Sequence, residues 1–235
     1  QGVSVAAKKA SRIASEGAVM AYTTPDGKTG AMVEINCESD FVGKSDVFIE
    51  LCNNVAKHIV EAKPQNLEQL LAQPYTGDAG LTIQDLVNAA ISKTGEKITV
   101  RRFVLVEEEG RVESYIHMGG KIGVLLAIKT GKDLNNEQDF VEACHDIALH
   151  TAWCSAKYAY ENEVPEEEVA HEREILTMQV QNDPKNAGKP EAIVEKIISN
   201  KVKNYYKEVF VVGNIGTAYT GAALDTTDDS YVVAE

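Results

Sequence analysis

The sequence predicts an α+β protein: two repeated α/β subdomains, each an antiparallel hairpin plus helices, with a helical hairpin inserted in the second. Three observations predict it. The first is an internal repeat. Glu16-Gly17 recurs as Glu109-Gly110, Val19 as Val112, Tyr22 as Tyr115, Gly27-Lys28 as Gly120-Lys121, Gly30 as Gly123 and Ile35 as Ile128, all at an offset of 93. At an offset of 92, Phe48-Ile-Glu-Leu-Cys52 matches Phe140-Val-Glu-Ala-Cys144, and Val55-Ala-Lys-His58 matches Ile147-Ala-Leu-His150. A match of this density reads as two copies of one β-β-α unit, a module that must bury its apolar face against something. The second observation is the apolar spacing of the first copy, alternating over Ala31 to Cys37 and then helical over Phe48 to Ile59. The third is a pair of helical patterns, each opened by a proline, that follow only the second copy. The chain divides into a linker helix over 1–16, a first subdomain over 17–107 and a second over 108–235 that includes the helical hairpin at about 165–209.

Each element has its own warrant. Val3 to Glu16 reads as a helix with Val5, Ala6, Ala10 and Ile13 on one side and Lys8, Lys9 and Arg12 on another, ended by Gly17. Val19 to Thr23 and Thr29 to Cys37 flank Pro25-Asp26-Gly27-Lys28, a turn sequence. Ser45 is the N-cap of a helix carrying Phe48, Leu51, Cys52, Val55 and Ile59 on one face. A short helix, Leu67 to Ala72, lies between Pro64 and Pro74. Thr82 to Lys93 forms another, with Ile83, Leu86, Val87, Ala90 and Ile91 facing a core; Gly95 stops it, and Ile98 to Val106 is a strand. Pro165 opens a helix through about Gln181 and Pro190 another through about Val209. Val169, Leu176 and Val180 on the first, with Ile193, Ile197 and Val202 on the second, make an antiparallel pair. After Phe210 the composition favours a loop and a weak terminal strand.

Composition bounds the function. The chain has 235 residues, 44% of them hydrophobic and 25% charged, the balance of an ordinary globular protein. Its net charge of −13 argues against nonspecific binding to nucleic acid or anionic membrane, since phosphates repel it, and leaves a protein as the expected partner. No apolar run approaches the ~18 residues that span a bilayer. Cys37, Cys52, Cys144 and Cys154 form no C-x-x-C pair and have no close His cluster, so no structural zinc is expected and no cofactor is implied. Cys52 and Cys144 lie on apolar helix faces, where free Cys packs as a small hydrophobe, and reducing conditions follow.

The organising stretch is Ile35-Asn36-Cys37-Glu38-Ser39-Asp40-Phe41-Val42, where a strand runs into a polar turn that presents an acid beside a large aromatic. Phe41 is either the last core residue of the strand, on the face of Val33, Ile35 and Cys37, or a wedge for a partner. Other constellations are weaker. Gly119-Gly120-Lys121 sits in a hairpin turn and lacks the glycine spacing and the Ser or Thr of a phosphate loop. His117 precedes that turn with no Ser, Cys or acid placed beside it by sequence. His58 and His150 occupy one position of the two repeated helices, which implies either a shared packing role or an exposed face. Glu166, Glu167 and Glu168 suit a helix N-terminus.

Asn36-Cys-Glu-Ser-Asp-Phe-Val42 resembles the signature of elongation factor Ts, the exchange factor for elongation factor Tu, in which Thr usually stands where this chain has Ser39. The resemblance covers roughly residues 5 to 205, through Gly95-Glu-Lys-Ile-Thr-Val-Arg-Arg-Phe103, Ser114-Tyr-Ile-His-Met-Gly-Gly-Lys-Ile-Gly-Val-Leu125, Ile147-Ala-Leu-His150 and the helical hairpin. It implies a guanine-nucleotide exchange factor, not an enzyme, with elongation factor Tu as partner. Partner contacts are implied for Asp40, Phe41 and Val42, which meet the GTPase near its magnesium site, for His117, Gly120, Ile122 and Gly123 in and after the second turn, and for His150. It also implies a bacterial cytoplasm, a chloroplast stroma or a mitochondrial matrix; a start at Gln1 in place of Met leans towards an organelle or a trimmed chain. Departures are the absence of the small N-terminal helical domain and of a Gln-Pro-Phe/Tyr stretch after the hairpin. In addition, the second half shows no counterpart of the Ile98 to Val106 strand, and Trp153 and Cys154 replace small residues. From the residues alone the rival reading is a small-molecule enzyme using His117 and Lys121 between the two subdomains.

Overall fold

The structure, a computed structural model, describes residues 2–154, 158, 160–209, 219–225 and 231–233. It is a mixed α and β protein. The chain runs α1 (Gly2–Lys9), β1 (Glu16–Thr23), β2 (Thr29–Cys37), a one-turn helix α2 (Asp40–Gly43), α3 (Asp46–Ala62) and α4 (Leu67–Ala72). A small hairpin follows, β3 (Pro74–Tyr75) and β4 (Asp78–Thr82), then α5 (Ile83–Thr94) and β5 (Ile98–Glu107). Next come β6 (Arg111–His117), β7 (Ile122–Ile128) and α6 (Gln138–Cys154), then α7 (Glu166–Asn182) and α8 (Glu191–Val209), and finally β8 (Tyr219–Asp225) and β9 (Tyr231–Val233).

β1, β2 and β5 form one antiparallel sheet, and β6, β7, β8 and β9 another. One face of the first sheet presents Ala31, Val33, Ile35 and Cys37 to α3 and α5; their Phe48, Leu51, Cys52, Val55, Ile59, Val87 and Ile91 complete the largest core. Val124, Leu126 and Ile128 of the second sheet face Cys144, Ala148 and Ala152 of α6. Residues of opposite parity, Val19, Met32, Val112 and Leu125, meet between the sheets. The order of layers is therefore helix, sheet, sheet, helix.

The sheet-to-sheet contacts are reciprocal at the offset of 93. Val19 N–H donates to Gly120 O at 2.8 Å, and Val112 N–H donates to Gly27 O at 2.7 Å. A Cβ on Gly30 would meet Val112 Cγ1 at 2.6 Å, and one on Gly123 would meet Val19 Cγ2 at 2.8 Å. Both positions need glycine because the strands approach too closely for a side chain. α3 and α6 are each 17 residues long.

Sequence and structure agree on β2, α3 with Ser45 as its cap, α4, and α5, whose Thr82 and Asp85 form a capping box. Cys52 and Cys144 are buried, and exclusion of water raises both thiol pKa values, that of Cys144 to about 11.

Several expectations are corrected. The first helix stops at Lys9, well short of Glu16. Lys97 Nζ takes the Ala10 and Arg12 carbonyls at 2.7 and 2.8 Å, groups a continuing helix would need, and Glu16 pairs with Cys37 in the sheet. Ile13, expected on a core face, is 83% exposed. β3 and β4 were not foreseen, since Pro74 and exposed strand residues hide the pattern. The face of β2 that carries Glu34 is covered by the second sheet, and Glu34 is fully buried.

The second half does contain a third strand beside its hairpin. β8 lies along β7, with Ile122 opposite Asp225 and Ile128 opposite Tyr219, as β5 lies along β2, with Thr29 opposite Glu107 and Ile35 opposite Val100. Its sequence, Tyr-Thr-Gly-Ala-Ala-Leu-Asp, carries little of the β-branched enrichment that marks β5. Residues 210–218, where a loop was expected, lie outside the described residues.

α7 and α8 pack on each other through Leu176, Val180, Ile198 and Val202, with Val169, Val194 and Ile197 at the margin. Ile193, assigned to this seam by spacing, is 46% exposed, and its neighbour Val194 packs there in its place. Glu168 does more than complement a helix end: it accepts the hydroxyls of Tyr158 and Tyr205, each at 2.6 Å. Because the pair has its own apolar seam, exchanging 166–209 for a short flexible linker is expected to leave one cooperative thermal transition in circular dichroism. Loss of that transition would make the pair part of the core.

Candidate functional site

β2 ends at Cys37 because the chain turns into a polar lock. Glu96, just past α5, accepts the backbone N–H groups of Glu38 and Ser39 at 3.1 and 3.0 Å and the Ser39 hydroxyl at 2.6 Å. In return Glu38 accepts the Lys97 N–H at 2.6 Å, a bond that holds its carboxyl below the usual range, with help from Arg12 at 3.3 Å. Ser39 then caps α2, its hydroxyl accepting the Val42 N–H. The Ser45 hydroxyl closes the far end on Val42 O at 2.7 Å. Two reciprocal carboxylate contacts and two serine bonds thus fix a four-residue helix between strand and α3.

That fixed turn decides the orientation of the three residues singled out by sequence. Val42 packs against the first core. Asp40 accepts Lys44 Nζ at 2.9 Å, and this bond holds its carboxyl below the usual value. Phe41 is 84% exposed. The strand does not persist, so Phe41 is not its last core residue. The ring thus stands on a turn fixed by side-chain bonds, with most of its surface in water.

The second group lies in and after the β6–β7 turn. Gly120 and Lys121 N–H groups both return to His117 O at 3.2 Å, and Met118, Gly119 and Gly120 have φ of 51°, 65° and 94°. The His117 ring stacks on Tyr115 with Nδ1 at 3.1 Å from the Tyr hydroxyl, and Tyr115 meets His145 edge-on. Lys121 Nζ pairs with Glu16 at 2.8 Å. Glu16 stands opposite Cys37 and adds to the effect of Asp40 in raising the Lys44 pKa. The β6–β7 turn and the Asp40-Phe41 turn therefore share one end of the molecule, joined through β1.

The remaining residues are placed differently. Ile122 is half-buried in the cluster under α6. Gly123 is enclosed between the sheets, so its contribution is to shape and not to contact. His150 is exposed on α6. That helix leaves from Asn135, bonded to Gly110 O at 2.7 Å, and passes Glu113 at His145, so its last turns advance towards the His117 end. The two helix histidines have parted roles. His58 is buried, with Nδ1 accepting the Thr76 N–H and Nε2 at 3.1 Å from Gln73 Oε1, and burial lowers its pKa. Sequence reasoning missed the Glu96 and Glu16 contacts, which bridge segments far apart in the chain. The Gly95-Glu-Lys stretch was the only signal for the first.

Among the described residues no group of three or more His, Cys, Asp or Glu is arranged to hold a metal, and no helix is long and apolar enough to cross a membrane. His117 and Lys121, the pair of the enzyme reading, are directed to Tyr115 and Glu16.

The family model of elongation factor Ts matches residues 38–214. A relative named elongation factor Ts from Trichlorobacter lovleyi is 39% identical over 236 residues, covering 100% of this chain and 73% of its own. Relatives of the same name from Halothermothrix orenii and Clostridium novyi are each 37% identical, covering 89% and 92% of this chain and 67% and 68% of theirs. With the matched region running from the Glu38 turn through β5, β6, β7 and the paired helices, and with relatives that cover nearly the whole chain, the chain belongs to the elongation factor Ts family of translation elongation factors.

Proposed function

We propose that this chain is a guanine-nucleotide exchange factor that binds elongation factor Tu and promotes GDP release by disturbing its magnesium and nucleotide site, and that it acts as a binding protein and not as an enzyme. The observation that carries the reading is Phe41, exposed on a turn locked by Glu96, Glu38, Ser39 and Ser45. A wedge must not collapse when it meets its target, and a pre-formed turn avoids the ordering cost of a flexible one. An exchange factor works only through higher affinity for the nucleotide-free state, and the partner-facing set proposed here is Asp40 and Phe41 with His117 and His150, while Gly120, buried against Ala18, shapes the turn. Val42, Ile122 and Gly123 support that surface from within. The relatives reported above are bacterial, and a bacterial cytoplasm is the compartment proposed.

The two β-β-α segments are proposed to be copies of one unit, dividing at about residue 107, with a linker over 1–16 and the helical hairpin as an accessory to the second. The reciprocal bonds of Val19 and Val112 support this. The copies divide the labour: Asp40-Phe41 corresponds to Asp133-Leu134, where the acid remains but Leu134 is half-buried. Only the first copy would act on the nucleotide site. In stopped flow, release of labelled GDP from elongation factor Tu should accelerate when micromolar chain is added. An unchanged rate would overturn the exchange reading.

A further inference from the structure

Resting on the exchange reading above, we infer that Lys97 is a positioning residue: it ties the segment after α1 to the Phe41 turn, so that movement of α1 is passed to the wedge. Lys97 holds both sides at once. Its backbone N–H donates to Glu38 at 2.6 Å, while its Nζ donates to the carbonyls of Ala10 and Arg12 at 2.7 and 2.8 Å. Arg12 closes the circuit, its Nη1 standing 3.3 Å from both carboxylate oxygens of the same Glu38. Lys9 Nζ donates to Gly95 O, two residues before Lys97. The segment 9–12 and the turn at 38–39 therefore grip one three-residue connection, 95–97, from two sides. A cap on the end of α1 would need the ammonium alone, yet the guanidinium of Arg12 also turns back to the residue that opens the turn.

The connection between α5 and β5 takes its place from side chains and not from a backbone ladder. Gly95 leaves α5 in a left-handed conformation at a φ of 75°. The next two N–H groups go to side chains, Glu96 to the Thr94 hydroxyl at 3.3 Å and Lys97 to Glu38. Glu96, on this same connection, accepts the Glu38 and Ser39 N–H groups and the Ser39 hydroxyl. A shift of the connection carries Glu96 with it and loosens the entry of α2, on which Phe41 stands. At the other end α1 lies against α5, with Ala6 packed on the first core. A contiguous network of bonds thus runs from α1 through Lys97 to the Phe41 turn, the kind of physical path that coupling requires.

Lys97→Met separates this role from a structural one, because it removes the ammonium and keeps the backbone N–H that Glu38 accepts. In the free chain, hydrogen exchange read by mass spectrometry is expected to speed up over residues 38–43 and to stay unchanged in α3. Maximal GDP release from elongation factor Tu at saturating Lys97→Met is expected to fall about threefold, the scale of a part-exposed charged contact. That fall is expected to vanish when Phe41 is already Ala, since residues acting through one contact are not additive. Unchanged hydrogen exchange over 38–43, an unchanged release rate, or the same loss in the Phe41→Ala background overturns the inference while leaving the exchange reading in place. A wild-type chain that does not accelerate release overturns both.

Discussion

Replacing Phe41 with Ala is expected to lower the rate of GDP release from elongation factor Tu at saturating chain by about 30-fold, the equivalent of an interface anchor of ~2 kcal/mol. The same change leaves the melting temperature of the chain within about 2 °C of wild type, since a surface truncation away from caps and ion pairs alters stability by less than about 0.5 kcal/mol. Both halves follow from an exposure of 84% on a turn whose bonds involve Ser39, Glu38 and Glu96 but not the ring. Leu134→Ala, at the corresponding place in the second half, does the reverse: it lowers stability and leaves release unaffected. A drop of many degrees in Phe41→Ala would show that the ring is part of the core and would remove the wedge.

Glu34→Ala is expected to destabilise the chain by about 3 kcal/mol, the loss typical of removing one partner from a buried ion pair. Glu34 lies in β2 on the face turned to the second sheet and is fully buried. Its carboxylate accepts Arg102 Nε at 2.6 Å, Arg101 Nη1 at 3.3 Å and Asn36 Nδ2 at 3.3 Å. Two successive arginines reach it because the β2–β5 register slips between Glu34 and Ile35, leaving Arg101 as an extra residue in the ladder. Without the carboxylate, the partly buried Arg102 loses its 2.6 Å bond to Glu34. Thermal unfolding should drop by roughly 6–12 °C, given a shift of about 2–4 °C per kcal/mol for a chain of this size. Glu34→Gln, which keeps a hydrogen-bond acceptor, should fall between the two. A wild-type melting temperature in Glu34→Ala would mean the arginines are satisfied without it.

The sequence made local features legible and left most long-range ones hidden. The boundaries of β2, α3 and α5 follow from turn residues, caps and period, all within about 15 residues of one another. Of the residues matched at an offset of 93, Gly30 and Gly123 and Val19 and Val112 lie where the sheets touch. The first helix was over-extended because Ala10 and Ile13 fit a helical face, and nothing nearby announces that Lys97 takes its carbonyls. The burial of Glu34 was not legible, because its cover comes from another sheet. β8 was unreadable because its place depends on pairing with β7 across the whole helical hairpin. At the site, sequence posed the alternatives for Phe41 but could not choose, since the choice depends on Glu96, far along the chain. The placement of the Phe41 and His117 turns at one end rests on Glu16 and Lys121, a long-range contact that no local pattern shows.

The central claim is that binding of this chain and binding of GDP to elongation factor Tu oppose each other. Linkage makes that opposition measurable without following any rate, because whatever GDP does to the affinity for the chain, the chain must do to the affinity for GDP. Isothermal titration of the chain into nucleotide-free and into GDP-loaded elongation factor Tu measures it directly. Affinity for the nucleotide-free form is expected to be tighter by about 100-fold, a coupling within the usual range for linked sites. Equal affinity for the two forms would contradict it, since a ligand that does not distinguish two states shifts neither.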